Sequence, residues 1–417
     1  MSTADVLTPL VVPRLISIDD HVIEPPTLWT DRVPQRLAEA VPHIRRVKAY
    51  SQGWTQDGMQ FVQDDSHPDA RWADVWEYEE QRIYLYRGYA AVGFPRDEMD
   101  SKPLSYIDDD MRPGCYDQTS RLADMDRNHT EASMCFPTIP RFCGQLFLRA
   151  NDKDVAFTSV QAYNDWMIED WCGGAGHGRL IPLTLVPLWD AELAAAEVRR
   201  CAEKGSHSVT FSEIPPFLGL PSIYSGYWDP FIAACEETET VINMHIGSSS
   251  RTNTTGPDAP HLMHLALLFE NGMHAMMDWA LSGKLAQFPD LKIALSEAQA
   301  GWMPFILERM DKVWERNDPV DQLQTVLKEP PSSYIRRQVF GCVYDDLHGL
   351  RSRNEISLSQ LMFETDYPHA DSTWPGSKDL LHQLATDAGL NQHELWQLAR
   401  GNAIACYQLD RHFGIQA

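Results

Sequence analysis

Short runs of branched apolar residues alternate along this chain with longer segments whose apolar positions recur every three to four residues. The runs fit buried strands and the longer segments fit amphipathic helices. Val11–Ile18 is the first predicted strand, and Pro25-Pro26 stops the chain soon after it. From Thr119 the alternation becomes regular. A helix is expected at Ser120–Asn128, a strand at Ala132–Phe136, a helix at Asp152–Cys172 and a strand at Leu180–Val186. Helix Ala191–Lys204 then leads to strand Ser208–Phe211, and helix Asp229–Thr238 to strand Thr240–His245. Helical segments at His261–Ser282 and from Ala286 feed strand Lys292–Ser296. Helix Pro304–Trp314, strands Gln338–Tyr344 and Ser359–Thr365, and helices Lys378–Ala388 and Gln392–Tyr407 complete the series. About eight strands separated by helices predict an α/β fold, a (β/α)8 TIM-like barrel. No Gly-rich dinucleotide fingerprint follows any strand, which disfavours a Rossmann sheet.

Thr27–Met111 departs from this rhythm. It carries Trp29, Trp54, Trp72 and Trp76, many tyrosines and scattered prolines, with little helical or strand period. It is expected to be an aromatic-rich lid or insertion after the first strand, with short helices near Leu28–Leu37 and Asp74–Tyr86. The whole of residues 1–417 is expected to form a single barrel domain, with 27–111 as its insertion.

Composition narrows the function. Of 417 residues, 43% are hydrophobic and 23% charged, as in a globular protein with a sizeable core. The formal net charge of −24, from 35 Lys+Arg and 59 Asp+Glu, argues against a nucleic-acid partner. Eight cysteines include no Cys-x-x-Cys pair, so reduced and mostly buried thiols are expected. Met1–Arg14 lacks the pattern of a secretory signal, and no apolar run is long enough to span a membrane. A cytoplasmic location without membrane attachment is expected.

The chemistry gathers at the strand ends, where such barrels place their active sites. The first strand ends in Asp19-Asp20-His21, whose alternation puts Asp19 and His21 on one side, with Glu24 just beyond as a third possible ligand. The fifth ends in His245, the sixth in Ser296-Glu297 and the eighth in Glu364-Thr365-Asp366-Tyr367-Pro368-His369. One such residue is more often a hydrogen-bonded core group or a turn cap. Four convergent ends with carboxylates and imidazoles are hard to explain as packing, because unpaired buried charges are costly. A carboxylate-rich set without thiolates suits iron or manganese at least as well as zinc.

Asp19-x-His21, His245 and Asp366 resemble the ligand series of the amidohydrolase superfamily, in its amidohydrolase-related, decarboxylase-like branch. The segment Thr365-Asp366-Tyr367-Pro368-His369 with Ser372-Thr373-Trp374-Pro375 is similar to that branch's final-strand signature. The resemblance implies that Asp19, His21, His245 and Asp366 bind a divalent metal. Decarboxylases of the branch carry Gly-His on strand six, where this chain has Ser296-Glu297. With Glu24, Glu297 and His369 added, the ligands suffice for two metals, and Glu297 and His369 are expected to serve catalysis. Asp-Asp-His-Val-Ile-Glu-Pro and Ser-Glu-x-x-x-Gly-Trp are similar to the TIM-barrel nonheme diiron monooxygenases. That similarity implies two Fe, O2 with an external reductant, and hydroxylation of a bulky terpenoid or polycyclic substrate, CoA-linked in that group. The alternatives are a Zn- or Mn-dependent hydrolase or nonoxidative decarboxylase, and a noncatalytic barrel. Arg141 and Arg251, at probable strand exits, could hold a substrate carboxylate or phosphate, or be surface residues. The aromatics of Trp54–Tyr89, with Trp228 and Trp374, could wall a large apolar small-molecule pocket or pack the insertion against the barrel. A homodimer is the expectation for barrels of this branch.

Overall fold

A computed structural model describes residues 9–55, 58–95, 102–107, 110–251, 253–256, 258–321 and 323–416. Two runs of parallel strands make the barrel. One has the order β1 (Leu15–Val22), β6 (Thr130–Pro137), β7 (Leu180–Ile181). The other runs from β8 (Ser208–Thr210) through β9 (Val241–His245), β10 (Ile293–Ser296) and β11 (Val339–Val343) to β12 (Leu361–Phe363). Thr184 bridges in parallel to Val209 and joins the two runs on one side. On the other, Asp366 N donates to Asp19 O at 3.0 Å and His21 N to Tyr367 O at 2.5 Å. Among the described residues, eight parallel strands thus close into a (β/α)8 barrel, as the sequence pattern predicts.

Ile16, Ile18, Ala132, Met134, Phe136, Val241, Phe340, Cys342 and Met362 fill the barrel interior. The helix Asn402–Tyr407 closes the bottom, where the Tyr407 hydroxyl bonds Asn243 Oδ1 at 2.5 Å. A larger apolar layer, including Leu15, Val209, Phe211, Trp228, Trp279 and Phe363, packs strands against the outer helices. Asp117, Asp152 and Asp190 each cap a helix N-terminus by accepting backbone N–H bonds. All eight cysteines are buried free thiols. Among the described residues, no helix is long and apolar enough to cross a membrane.

The insertion is not irregular. β2 (His43–Thr55), β3 (Gly58–Gln63), β4 (Arg71–Tyr78) and β5 (Gln81–Tyr84) form a four-stranded antiparallel sheet ordered β3-β2-β4-β5. The expected helix over Asp74–Tyr86 is therefore a β-hairpin, with Trp76 opposite Ile83 and Tyr78 opposite Gln81. Trp76 and Tyr78 pack toward the barrel's apolar cluster, while Ala73 and Val75 join Val47 and Ala49 on the other face. Apolar residues on both faces hide the two-residue period and imitate a helical stripe. The helix expected near Leu28–Leu37 shrinks to one short 3-10 turn, Gln35–Leu37. The first strand starts four residues later than predicted and continues past Ile18 to Val22. The predicted strand Leu180–Val186 keeps regular pairing only at Leu180–Ile181, and the helix expected over His261–Ser282 breaks into His261–Ala266 and Phe269–Leu281.

Candidate metal centre

β1 delivers its polar residues through an irregularity. Its pairing with β6 shifts register between Ser17 and Asp20. Even-numbered Ile16 and Ile18 therefore face the barrel interior, and odd-numbered Asp19 and His21 follow them there. Such a bulge re-aims side chains next to active sites. His245 is the last residue of β9, and Glu297 follows β10 directly. Asp366 and His369 lie in the turn beyond β12, where His369 N donates to Asp366 O at 3.0 Å. Glu297 and Asp366 both adopt left-handed backbone, at φ 56° and 49°.

These side chains meet at the mouth. Ligand atoms of Asp19, His21 and His245 lie within 4.8 Å of one another, as do those of His21, Glu297, Asp366 and His369. His21 Nε2 stands 3.2 Å from His245 Nε2, 3.3 Å from Asp366 Oδ1 and 3.7 Å from Asp19 Oδ1. His245 Nε2 lies 3.6 Å from Asp19 Oδ2 and 3.5 Å from Glu297 Oε2. His369 Nδ1 is 3.0 Å from Asp366 Oδ1, and its ring stacks on His21 with centroids 3.7 Å apart. His245 Nδ1 lies 2.6 Å from Ile246 O; with Nδ1 as donor, Nε2 keeps its lone pair for the centre.

The charge arrangement calls for a cation. Asp19 is fully buried, and neither of its carboxylate oxygens has a hydrogen-bond partner among the described residues. Burial, then Glu364, Glu297 and Asp366, pushes its acid well above the usual carboxylate range. Burial and Asp366 raise Glu297 to about 8, and burial also raises Asp366 and Glu364. Burial, then His369 and His245, lowers His21. Burial likewise lowers His245, against the pull of Glu297. For His369, the lowering by burial is outweighed by Asp366 and Glu297, and its basicity rises. Crowded buried carboxylates, two imidazoles (His21 and His245) of lowered basicity and unpaired carboxylate oxygens fit a divalent cation, which would supply the missing positive charge.

The remaining residues named from the sequence fall elsewhere. Glu24 belongs to neither donor group. Its Oε1 accepts from Thr138 N at 3.1 Å and its Oε2 from Ile139 N at 2.8 Å, so it ties the exit of β1 to that of β6. Burial raises its acid to about 8. Trp374 is a packing residue: its Nε1 donates to Asp124 O at 2.9 Å, and the Arg112 and Arg127 guanidinium carbons lie 4.7 and 4.9 Å from its ring. Arg251 rests on Phe217 at 4.7 Å. Arg141 is exposed in left-handed backbone (φ 62°) beside Phe142, whose ring stacks on His245 at 4.2 Å.

Four further groups frame the centre, and of these only Tyr89, among the aromatics of Trp54–Tyr89, carried an expected role, as a pocket wall. Glu364 Oε2 accepts from Glu297 N at 3.2 Å, and Phe142 covers His245. Tyr344 follows β11 and feels the charges of Glu297, Asp371 and Glu364 after its burial. Tyr89 brings the insertion to the centre, its ring centroid 6.1 Å from that of His369. Ala91 N and Val92 N anchor that part of the insertion to Pro368 O at 2.8 and 3.3 Å. Tyr344 and Glu364 stand at strand ends and were open to the same argument as His245. Tyr89 stands at no strand end, and only the docking of the insertion brings it to His369.

Residues 65–409 match the family model described as Amidohydrolase. No curated protein matches the chain in sequence. Among solved structures, an amidohydrolase from Mycobacterium avium subsp. paratuberculosis K-10 is similar, with 20% identity and a TM-score of 0.66 over 95% of this chain and 100% of that one. 2,6-Dihydroxybenzoate decarboxylase from Rhizobium shares 15% identity and a TM-score of 0.57, covering 95% and 99% of the two chains. A dihydroxybenzoic acid decarboxylase from Polaromonas sp. JS666, with bound manganese and the inhibitor 2-nitroresorcinol, shares 18% identity and a TM-score of 0.57, covering 72% and 89%. The expected oxidoreductase is corrected by these findings. The similar proteins are amidohydrolases and decarboxylases rather than monooxygenases, and nothing among them supports paired irons, O2 or a reductant. Its barrel, the donor set at its mouth and a family match over most of its length make one conclusion: the chain belongs to the amidohydrolase family, as a metal-dependent enzyme.

Proposed function

We propose that this protein is a nonoxidative decarboxylase of a hydroxyaromatic acid, working with one divalent cation, for which manganese is the first choice. The observation that carries the reading is a division of exposure within the cluster. The side chains of Asp19, His21, His245 and Asp366 are at most 2% exposed, whereas those of Glu297 and His369 are each 15% exposed. The four buried groups are suited to hold the cation, and the two open ones to touch a substrate above it. The names of the similar dihydroxybenzoate decarboxylases support the choice of reaction.

A cation in this position would supply a Lewis acid for a substrate oxygen. The chain's own residues do the rest. Phe142 covers one face of His245 and limits water there. Arg141, exposed and next to the Phe142 that stacks on His245, would receive a substrate carboxylate. When the carbon–carboxylate bond breaks, CO2 leaves and its bonding electron pair stays on the ring carbon. Glu297 delivers the proton that this carbon takes up. His369, held by Asp366, orients the ring.

The test is CO2 release from a panel of ortho-hydroxybenzoates by the manganese-loaded protein. Turnover is expected with at least one of them, is lost on chelation and returns with manganese. Glu297→Gln is expected to keep the metal and lose at least about a hundredfold in kcat, within the range for general acid–base catalysis. Full turnover by Glu297→Gln would remove its role, and hydrolysis of an ester or amide without any CO2 release would replace decarboxylation by the hydrolytic reading.

A further inference from the structure

We infer that Asp20, which points away from the centre, is the positioning residue that sets three of the proposed ligands, Asp19, His21 and Asp366, in register with one another. The inference rests on the metal-centre reading above. Asp20 lies between Asp19 and His21 in sequence, and the alternation of the strand sends its side chain to the opposite side of the barrel wall. There it is 1% exposed and meets groups from three separate segments. Its Oδ1 accepts from Ser17 Oγ at 3.0 Å, Thr365 Oγ1 at 2.6 Å and Tyr367 N at 3.0 Å. Its Oδ2 accepts from Ser133 Oγ on β6.

Thr365 and Tyr367 are the residues on either side of Asp366. One carboxylate therefore grips the chain before and after that ligand, while being covalently between the other two. The grip matters because β12 and β1 do not form a regular ladder at this seam. Their backbones meet through Asp366 N on Asp19 O and His21 N on Tyr367 O. Asp366 also sits in left-handed backbone (φ 49°), which a non-glycine residue keeps only when its surroundings hold it. Arg121 completes the arrangement from behind. It is fully buried, donates to His21 O at 2.5 Å and Gly114 O at 2.7 Å, and lies 4.2 Å from the Tyr367 ring. Loss of Asp20 would free the ligand-bearing segments to shift past each other without removing any ligand.

Manganese binding to metal-free protein by calorimetry tests this, with cobalt absorption as a report on ligand geometry. Partners behind metal ligands commonly change affinity by about 10–100-fold, and Asp20→Ala is expected to weaken manganese by about 30-fold or more on that scale. Thr365→Val removes one donor with little change of shape, and a loss of about three- to tenfold is expected, with an altered cobalt band. Asp20→Asn should restore affinity to within about threefold of wild type, because its carbonyl can keep the three Oδ1 contacts and Ser133 can accept from its amide. Asn164→Ala serves as a control, since it breaks a buried network with Leu185 and Glu197 elsewhere. It should lower thermal stability yet leave manganese affinity unchanged. If Asp20→Ala does not fold, Thr365→Val and Ser133→Ala decide. Affinities within twofold of wild type in the folded variants, or an equal loss in Asn164→Ala, would overturn the positioning role alone. Failure of the wild type to bind any divalent cation would overturn the metal centre and this inference with it.

Discussion

Glu24 separates ligation from architecture, and its replacement by Ala gives different results under the two. Its side chain is fully buried, with its two oxygens on the backbone N–H groups of Thr138 and Ile139 at 3.1 and 2.8 Å. Removing the carboxyl strands both donors. Ile139 is buried and its N–H cannot be rehydrated cheaply, while half-buried Thr138 can recover part of its loss from water. At roughly 1–3 kcal/mol for each orphaned donor, the expected destabilisation is about 2–5 kcal/mol. Glu24→Gln keeps an acceptor for one N–H and should cost about half as much on the same scale. Urea denaturation of the metal-free protein measures the loss, and calorimetry of the folded variants measures manganese affinity, which is expected to stay within about threefold of wild type, a smaller change than the roughly 10–100-fold usual even for partners behind metal ligands. The pH dependence adds a second reading. The folded-state acid is raised to about 8 from an ordinary value of 4.5. Its contribution is therefore complete below pH 4.5 and is lost as pH rises through about 8, so the gap between wild type and Glu24→Gln should narrow over that window. Loss of metal from Glu24→Gln at unchanged urea stability would refute the reasoning and return Glu24 to the ligand set.

Three further outcomes follow from the same geometry. His245→Ala and Asp366→Ala should each fold yet purify without bound metal, as measured by elemental analysis; full metal content in both would remove them from the centre. Trp374→Phe forfeits the bond to Asp124 O and part of the contact with two guanidinium groups, and should lower stability by about 1–2 kcal/mol with KM unchanged. A raised KM at unchanged stability would make Trp374 a substrate wall after all. Arg141→Gln should raise KM for an anionic aromatic substrate by about tenfold, equivalent to ~1.4 kcal/mol, with little change in kcat; an unchanged KM would leave Arg141 a surface residue.

Much of the barrel was legible because each strand is a short apolar run followed by a helix, and parallel strands buried on both sides have no other appearance. His245 and Asp366 could be placed at the mouth because they end such runs. Asp19 and His21 were placed on a common side by alternation, but the bulge that aims them inward left no sequence signal: alternation from Ile16 and Ile18 would have sent Asp20 inward instead. Glu24 was hard to place because a carboxylate near a metal-like motif reads the same whether it meets a cation or two backbone N–H groups, and here both its oxygens accept from N–H groups. The insertion misled because Trp76 and Tyr78 face the barrel while Ala73 and Val75 cover a second small core. The aromatics of Trp54–Tyr89 could be read as a pocket wall, but not that Tyr89 meets His369, because that approach depends on Pro368 O receiving Ala91 N and Val92 N from a remote segment.

The buried donors at the barrel mouth are expected to hold a divalent cation. Anomalous diffraction at the manganese edge, from crystals of the manganese-loaded protein, tests it most directly. A strong anomalous peak is expected within ligand distance of Asp19, His21, His245 and Asp366, with Glu24 on its backbone partners. A manganese-loaded crystal with no peak there, or with its peak at another place in the fold, would contradict it.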